Sequence, residues 1–186
     1  GVLRYPGTCR NGLPQGREAR AWRLKVEPGE VCFEDALQGR LCQDLAAEVG
    51  DFIVLRADGY FAYQLAVVAD DAEQGISHVV RGADLIDSTP RQICLQRHLG
   101  LGQPAYLHLP AAVNAAGEKL SKQTRAKPID DGRPQAALTA VLTFLGQQPP
   151  ADLPDAGLDE LWRWAITNWK RGSLPRCRSA EAPTAY

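Results

Sequence analysis

Methionine is absent from all 186 residues, histidine occurs only three times, and no apolar stretch approaches the run of about 18 that a membrane helix requires. A chain that opens on Gly1 without an initiator reads as a portion of a longer polypeptide. No charged-then-apolar leader opens it, so a cytoplasmic protein without a membrane partner is the expectation. Charge of either sign is also missing in bulk. With 21 basic and 22 acidic residues the net charge is -1, so any nucleic-acid contact must come from local patches rather than a whole-molecule field. The five cysteines (Cys9, Cys32, Cys42, Cys94, Cys177) are odd in number and irregular in spacing, which excludes a secreted disulfide framework and predicts reduced thiols. Internal repeats and low-complexity runs are likewise absent.

The residues present suit one globular domain with a real core: 45% are hydrophobic and 23% charged. Phe52-Ile53-Val54-Leu55 predicts a strand that stops at Asp58-Gly59, and the aromatic stretch Tyr60-Phe61-Ala62-Tyr63 predicts a second strand after that turn. Residues 64–70 fit a buried helix or a strand equally well on pattern. Ser77-His78-Val79-Val80 reads as a short buried strand. Ser88 and Thr89 offer hydroxyl caps, Pro90 suits a first helical turn and Gly100 a terminator, so 90–99 is expected to be a helix, followed by a strand over 105–109. Leu138, Val141, Leu142 and Leu145 repeat at helical spacing. So do Leu158, Leu161, Trp162, Ala165, Ile166 and Trp169. The tail from Arg171 is polar and is expected to be loose. Strand-helix-strand units between 52 and 110 imply parallel pairing with right-handed crossovers, the pattern of a doubly wound nucleotide-binding sheet.

The sharpest chemical signal is Lys119-Leu120-Ser121-Lys122-Gln123, in a loop after Gly117. Two ammonium groups with a hydroxyl between them can surround polyphosphate oxygens and stabilise the charge that builds up as pyrophosphate leaves. Taken alone, Lys-x-x-Lys is more often a solvated basic loop. Its company changes the weighting: His78-Val79-Val80-Arg81-Gly82-Ala83-Asp84 and Ser88-Thr89-Pro90-Arg91-Gln92 lie about forty residues upstream, and Tyr63-Gln64 with Asp70-Asp71 lies earlier again.

In that order the motifs resemble the second half of the catalytic domain of glutamyl-tRNA synthetases, with the lysine loop in the place of the KMSKS signature, Leu120 for Met and Gln123 for the final Ser. Among these enzymes the chain is most similar to the short paralogues directed at queuosine in tRNA(Asp). The early end after the lysine loop, Gln64 where the longer enzymes usually carry Asn, and the closing Trp162, Trp164 and Trp169 carry that likeness. The resemblance implies an α/β fold: the second half of a Rossmann-type class I synthetase domain followed by a small helical region. Its divisions would be a zinc-insertion remnant and connection over 1–30, the half-domain over 31–110, and the lysine loop with helices over 111–186.

The resemblance further implies that Tyr63 and Arg81 hold the glutamate substrate, that Lys119, Ser121 and Lys122 bind ATP, and that Lys122 is catalytic, stabilising the pentavalent phosphate. An arginine fork can grip a carboxylate bidentately and a phenol can hydrogen-bond beside it. The bland alternatives are an ion pair of Arg81 with Asp84 or Asp87, and a core role for Tyr63 on a half-buried strand. Tyr5 and Cys9, as Tyr-x-x-x-Cys, match the last two ligands of a tetrahedral Zn2+ site, and two ligands alone make no structural site. Cys32, Cys42 and Cys94 are expected to be buried small hydrophobes, and His78, His98 and His108 show no ligand spacing.

The implied partners are L-glutamate, ATP with Mg2+, tRNA(Asp) bearing queuosine, and a missing N-terminal half of the same polypeptide; the intact enzyme would be a monomer. Lys119, Lys122, Arg125, Lys127 and Arg133, with Lys170, Arg171, Arg176 and Arg178, are the cationic groups that could meet phosphates. A glutamyl-tRNA synthetase cut short and a non-catalytic tRNA- or nucleotide-binding fragment stand as alternatives.

Overall fold

A computed structural model describes residues 4–121, 124–126, 128 and 130–183, apart from the side chain of Ala156. In chain order the first regular element is the short strand β1 (Trp22–Leu24). A hairpin follows, made of β2 (Glu30–Asp35) and β3 (Gly39–Asp44). Along β2 the side chains alternate: Val31, Phe33 and Asp35 are buried, and Glu30 and Glu34 are exposed, as a strand with one covered face must be. The hairpin turns because the buried Asp35 carboxylate accepts from the amides of Leu37 (3.0 Å) and Gln38 (2.8 Å) and because Gly39 takes a φ of 78°.

The antiparallel register sets Cys32 opposite Cys42, and their sulfurs are bonded. This corrects the expectation of reduced, buried cysteines at these two positions. Ten residues separate them in sequence, and only the pairing register brings them together on the less buried face. Cys94 does sit in the core, with its thiol pKa pushed up by burial and only partly brought back by Arg97.

Helix α1 (Leu45–Glu48) is capped by Asp44, whose carboxylate accepts from the Ala47 amide at 3.0 Å. Strand β4 (Phe52–Leu55) pairs antiparallel with β1 in a two-stranded sheet of its own. It therefore does not join the parallel sheet expected over 52–110. The second strand expected after Asp58-Gly59 shrinks to a single bridge, Leu55 with Phe61, and Tyr63 instead opens helix α2 (Tyr63–Glu73). This settles residues 64–70 as helix. Strand β5 (His78–Gly82) is less buried than its composition suggested, with Val80 exposed, because it lies at a sheet edge.

Helix α3 (Thr89–Leu99) begins with Pro90 in its first turn and ends at Gly100 in the left-handed conformation, φ 66°. Strand β6 (Ala105–Leu109) then enters the sheet in the order β3-β2-β6-β5, parallel to β2 at Asp35 and Tyr106. This mixed sheet with its helices is α/β in class. Its core gathers Val26, Phe33, Leu45, Phe52, Val68, Ile93, Leu95 and Tyr106, with the Phe33 and Tyr106 rings edge to face at 5.7 Å.

The chain divides into two compact units: Gly1–Arg81 with Leu85–Leu107, and Gly82–Asp84 with His108–Tyr186. In the second, β7 (Ala111–Val113) is followed by α4 (Pro134–Phe144) and α5 (Leu158–Asn168), close to the helices that periodicity predicts. Leu142, Leu153, Leu161 and Ala165 form its buried cluster. The apolar stripe of α5 is wider than its buried face, for Trp162 and Ile166 are exposed. The tail is not loose: β8 (Ser179–Glu181) pairs parallel with β7, and Leu174 is buried. Among the described residues no helix is long and apolar enough to cross a membrane.

Candidate active site

Arg81 stands on β5, near the strand's end, where a long side chain can reach over α3. Its Nη2 donates to Thr89 Oγ1 and to Gln92 Oε1, both at 2.8 Å. Its guanidinium carbon lies 5.7 Å from the Tyr106 ring centroid. The Asp84 carboxylate takes the Lys119 ammonium. Gln92 Nε2 donates on to Gln64 Oε1 at 2.9 Å, and Gln64 Nε2 to Ser88 Oγ at 3.0 Å. Ser88 Oγ also receives Arg91 Nη2 at 3.4 Å. Five polar side chains, from α2, α3 and the N-cap position of α3, are thereby linked to one guanidinium head.

This linkage changes the role expected of the hydroxyls before α3. Ser88 does occupy the N-cap position, but its side chain makes no capping bond. Its oxygen is spent on Gln64 and Arg91, and Thr89 accepts from Arg81 while turning back toward the Leu85 carbonyl at 3.4 Å. The sequence motif places these residues beside Arg81 without revealing what they do. The available signal was a pair of amides, Gln92 and Gln96, one helical turn apart among Ile93, Cys94 and Leu95 on a helix that is otherwise apolar there.

Tyr63 is the first residue of α2 and 53% exposed, which fits a ring offered to solvent or ligand and not the core aromatic of a strand. Burial lowers the pKa of the Arg91 guanidinium, with Asp87 opposing the shift. Burial raises that of the Tyr106 phenol, against the Gln96 hydrogen bond and the Arg81 charge, so the phenol keeps its proton at neutral pH.

In the second unit Lys119 lies on the return arm of a tight loop. Val113 and Lys119 form an antiparallel bridge, the Leu120 amide donates to the Ala112 carbonyl at 2.9 Å, and Asn114 Oδ1 receives the Ala116 and Glu118 amides. Ser121 starts a turn closed by Thr124, whose Oγ1 accepts the Ser121 amide at 2.9 Å and donates to the Lys119 carbonyl, also at 2.9 Å. Lys122 and Gln123 lie outside the described residues.

Tyr5 and Cys9 share one turn: the Cys9 amide donates to the Tyr5 hydroxyl at 2.7 Å, and the Arg23 guanidinium covers the Tyr5 ring at 3.9 Å. Arg10, next to Cys9, is tied to the buried Asp51 carboxylate and to the Val26 carbonyl. A phenol oxygen and an exposed thiol brought onto one turn suit Zn2+ as donor types and would supply two of its four positions. The other cluster of metal-ligand residues among those described is Glu30, Cys32 and Cys42, but its two sulfurs are bonded to each other and present no thiolate.

Residues 8–157 match the family described as tRNA synthetases class I (E and Q), catalytic domain. The chain is 59% identical over 98% of its length to the glutamyl-Q tRNA(Asp) synthetase of Aromatoleum aromaticum and 58% identical over 95% to that of Dechloromonas aromatica. It spans 58% of the length of each of these relatives. In structure it resembles a glutamate-tRNA synthetase of Elizabethkingia anophelis, with a TM-score of 0.65 at 21% identity over 87% of this chain and 36% of that one. It likewise resembles a glutamate tRNA ligase of Elizabethkingia meningosepticum determined in complex with its amino acid (0.65, 22%, 87% and 36%), and both likenesses bear on the fold alone. Through a family match that covers most of its length, the chain belongs to the class I tRNA synthetases of the E and Q type, as part of their catalytic domain.

Proposed function

We propose that the full-length polypeptide activates L-glutamate with ATP and transfers the glutamyl group to queuosine in tRNA(Asp). The observation that carries this reading is the fixed Arg81 guanidinium, next along the motif order from Tyr63 on a chain 54–59% identical to proteins named glutamyl-Q tRNA(Asp) synthetase. Arg81 and Tyr63 bind the glutamate; a guanidinium fork held in place by its neighbours is a rigid carboxylate receptor. Lys119 and Ser121 bind ATP phosphates and Lys122 stabilises the phosphoryl transition state, with Mg2+ accompanying the nucleotide. Tyr5 and Cys9 are two ligands of a Zn2+ that, when bound, would tie the first turn to its remaining ligands. The divisions 1–30, 31–110 and 111–186, a monomeric state and a cytoplasmic location belong to the same reading.

The test is charging of the full-length enzyme with labelled glutamate on queuosine-bearing tRNA(Asp), the same tRNA lacking queuosine, and tRNA(Glu). Label on the first alone is expected. Label on tRNA(Glu) instead replaces this reading with that of a glutamyl-tRNA synthetase, and label on none, with no glutamate-dependent ATP-pyrophosphate exchange, replaces it with a binding role.

A further inference from the structure

We propose that Gln92 and Gln64 are positioning residues that lock the Arg81 guanidinium into its glutamate-binding orientation before substrate arrives. The proposal rests on the assignment of Arg81 to glutamate made above. The hydrogen-bond directions leave little freedom. A guanidinium only donates, so the atom of Gln92 that meets Arg81 Nη2 must be its carbonyl oxygen. Its amide nitrogen then faces Gln64 and must find an oxygen there, which in turn aims the Gln64 nitrogen at Ser88. One cation thereby sets the orientation of two amides in series. Both hydrogens on Nη2 are used, by Thr89 and by Gln92, so that end of the head cannot turn without breaking two bonds.

Three further features separate this from incidental packing. Gln92 is 3% exposed and Thr89 0%, so their polar atoms have no water to fall back on and hold their partners firmly. Nη2 is satisfied by two neutral side-chain oxygens from one helix, which fixes the direction in which that end of the head points. And the α3 N-cap position gives up its local bond: Ser88 serves Gln64 and Arg91 while the helix start goes without a side-chain cap, a local rule broken in favour of the network. An arginine otherwise loses several rotors on binding, and fixing it in advance removes that cost from substrate affinity.

Gln64 is the informative position because, among the described residues, its link to Arg81 runs through Gln92. Shortening it to Asn withdraws the amide by about 1.5 Å, one carbon–carbon bond, which takes contacts of 2.9 and 3.0 Å beyond hydrogen-bonding range. The experiment measures glutamate-dependent ATP-pyrophosphate exchange and thermal midpoint on full-length wild type, Gln64→Asn, Gln92→Glu and Arg81→Ala. Gln64→Asn is expected to raise the KM for glutamate about tenfold, with kcat, the KM for ATP and the midpoint close to wild type, the pattern of lost uniform binding. Gln92→Glu keeps an oxygen toward Arg81 but adds a charge that competes with the substrate carboxylate, and it raises the glutamate KM further. The proposal is overturned if both glutamine variants keep the wild-type glutamate KM while Arg81→Ala loses it, or if they raise the KM values for glutamate and ATP alike and lower the midpoint. An Arg81→Ala enzyme with unchanged glutamate KM would instead overturn the assignment of Arg81 itself.

Discussion

Lys119 and Lys122 stand three residues apart, yet their circumstances differ. The Lys119 ammonium is paired with Asp84 at a position where both side chains are substantially exposed. Such pairs contribute about 0–1 kcal/mol, so a polyphosphate can displace the carboxylate at little cost. Lys122, if it meets charge that develops only as pyrophosphate departs, has its effect in the transition state. Lys122→Ala is accordingly expected to lower kcat for adenylate formation by about a hundredfold while leaving the KM for glutamate within about threefold, read from exchange rates and single-turnover adenylate formation. A change confined to KM would remove Lys122 from that role. The motifs that contain Arg81 and Lys122 are legible in sequence because they are local. The partners of Arg81 are not, since Gln64 and Gln92 meet only once α2 is laid against α3, and no spacing in the chain encodes that register.

At the scale of elements, the joint after α4 is the most constrained. Gly146 adopts φ 71°, and a Cβ there would sit 2.1 Å from the Ser173 carbonyl oxygen, a backbone atom. The next residue, the buried Gln147, donates to the Leu145 and Lys170 carbonyls and accepts from the Lys170 amide, tying the end of α4 to the segment after α5. Gly146→Ala therefore meets both a strained φ and a backbone clash, and is expected to cost roughly 2–4 kcal/mol, seen as a lower denaturant midpoint for the second unit. A loss below about 0.5 kcal/mol would show that this joint yields freely. Here Gly146 was legible as a terminator from sequence, as were Pro90 and Gly100 around α3, because caps and breakers act within a few residues. The misread elements all depend on distant partners. Tyr60 to Tyr63 have strand-forming side chains, but β4 spends its pairing on β1, so the chain turns into α2. Strand β8 forms only because β7, some seventy residues earlier, offers it an edge, and Cys32 meets Cys42 only through hairpin register.

For the molecule as a whole, the two compact units have cores of unequal size. Among the described residues, ten buried ones make the cluster of the first unit and four make that of the second. Burial of apolar surface is the main source of resistance to local opening, and regions with few buried contacts open at lower free energy than the global transition. The division places Arg81 and its amide network in the better-packed unit, and Lys119 and Ser121 in the other. Native-state hydrogen exchange on the full-length protein is expected to show the amides of α4 and α5 losing protection at lower denaturant than those of α3 and β6. Saturating ATP analogue should slow exchange near Lys119 more than near Arg81, and glutamate should do the reverse. Uniform loss of protection across all four elements would mean that the units unfold as one cooperative body.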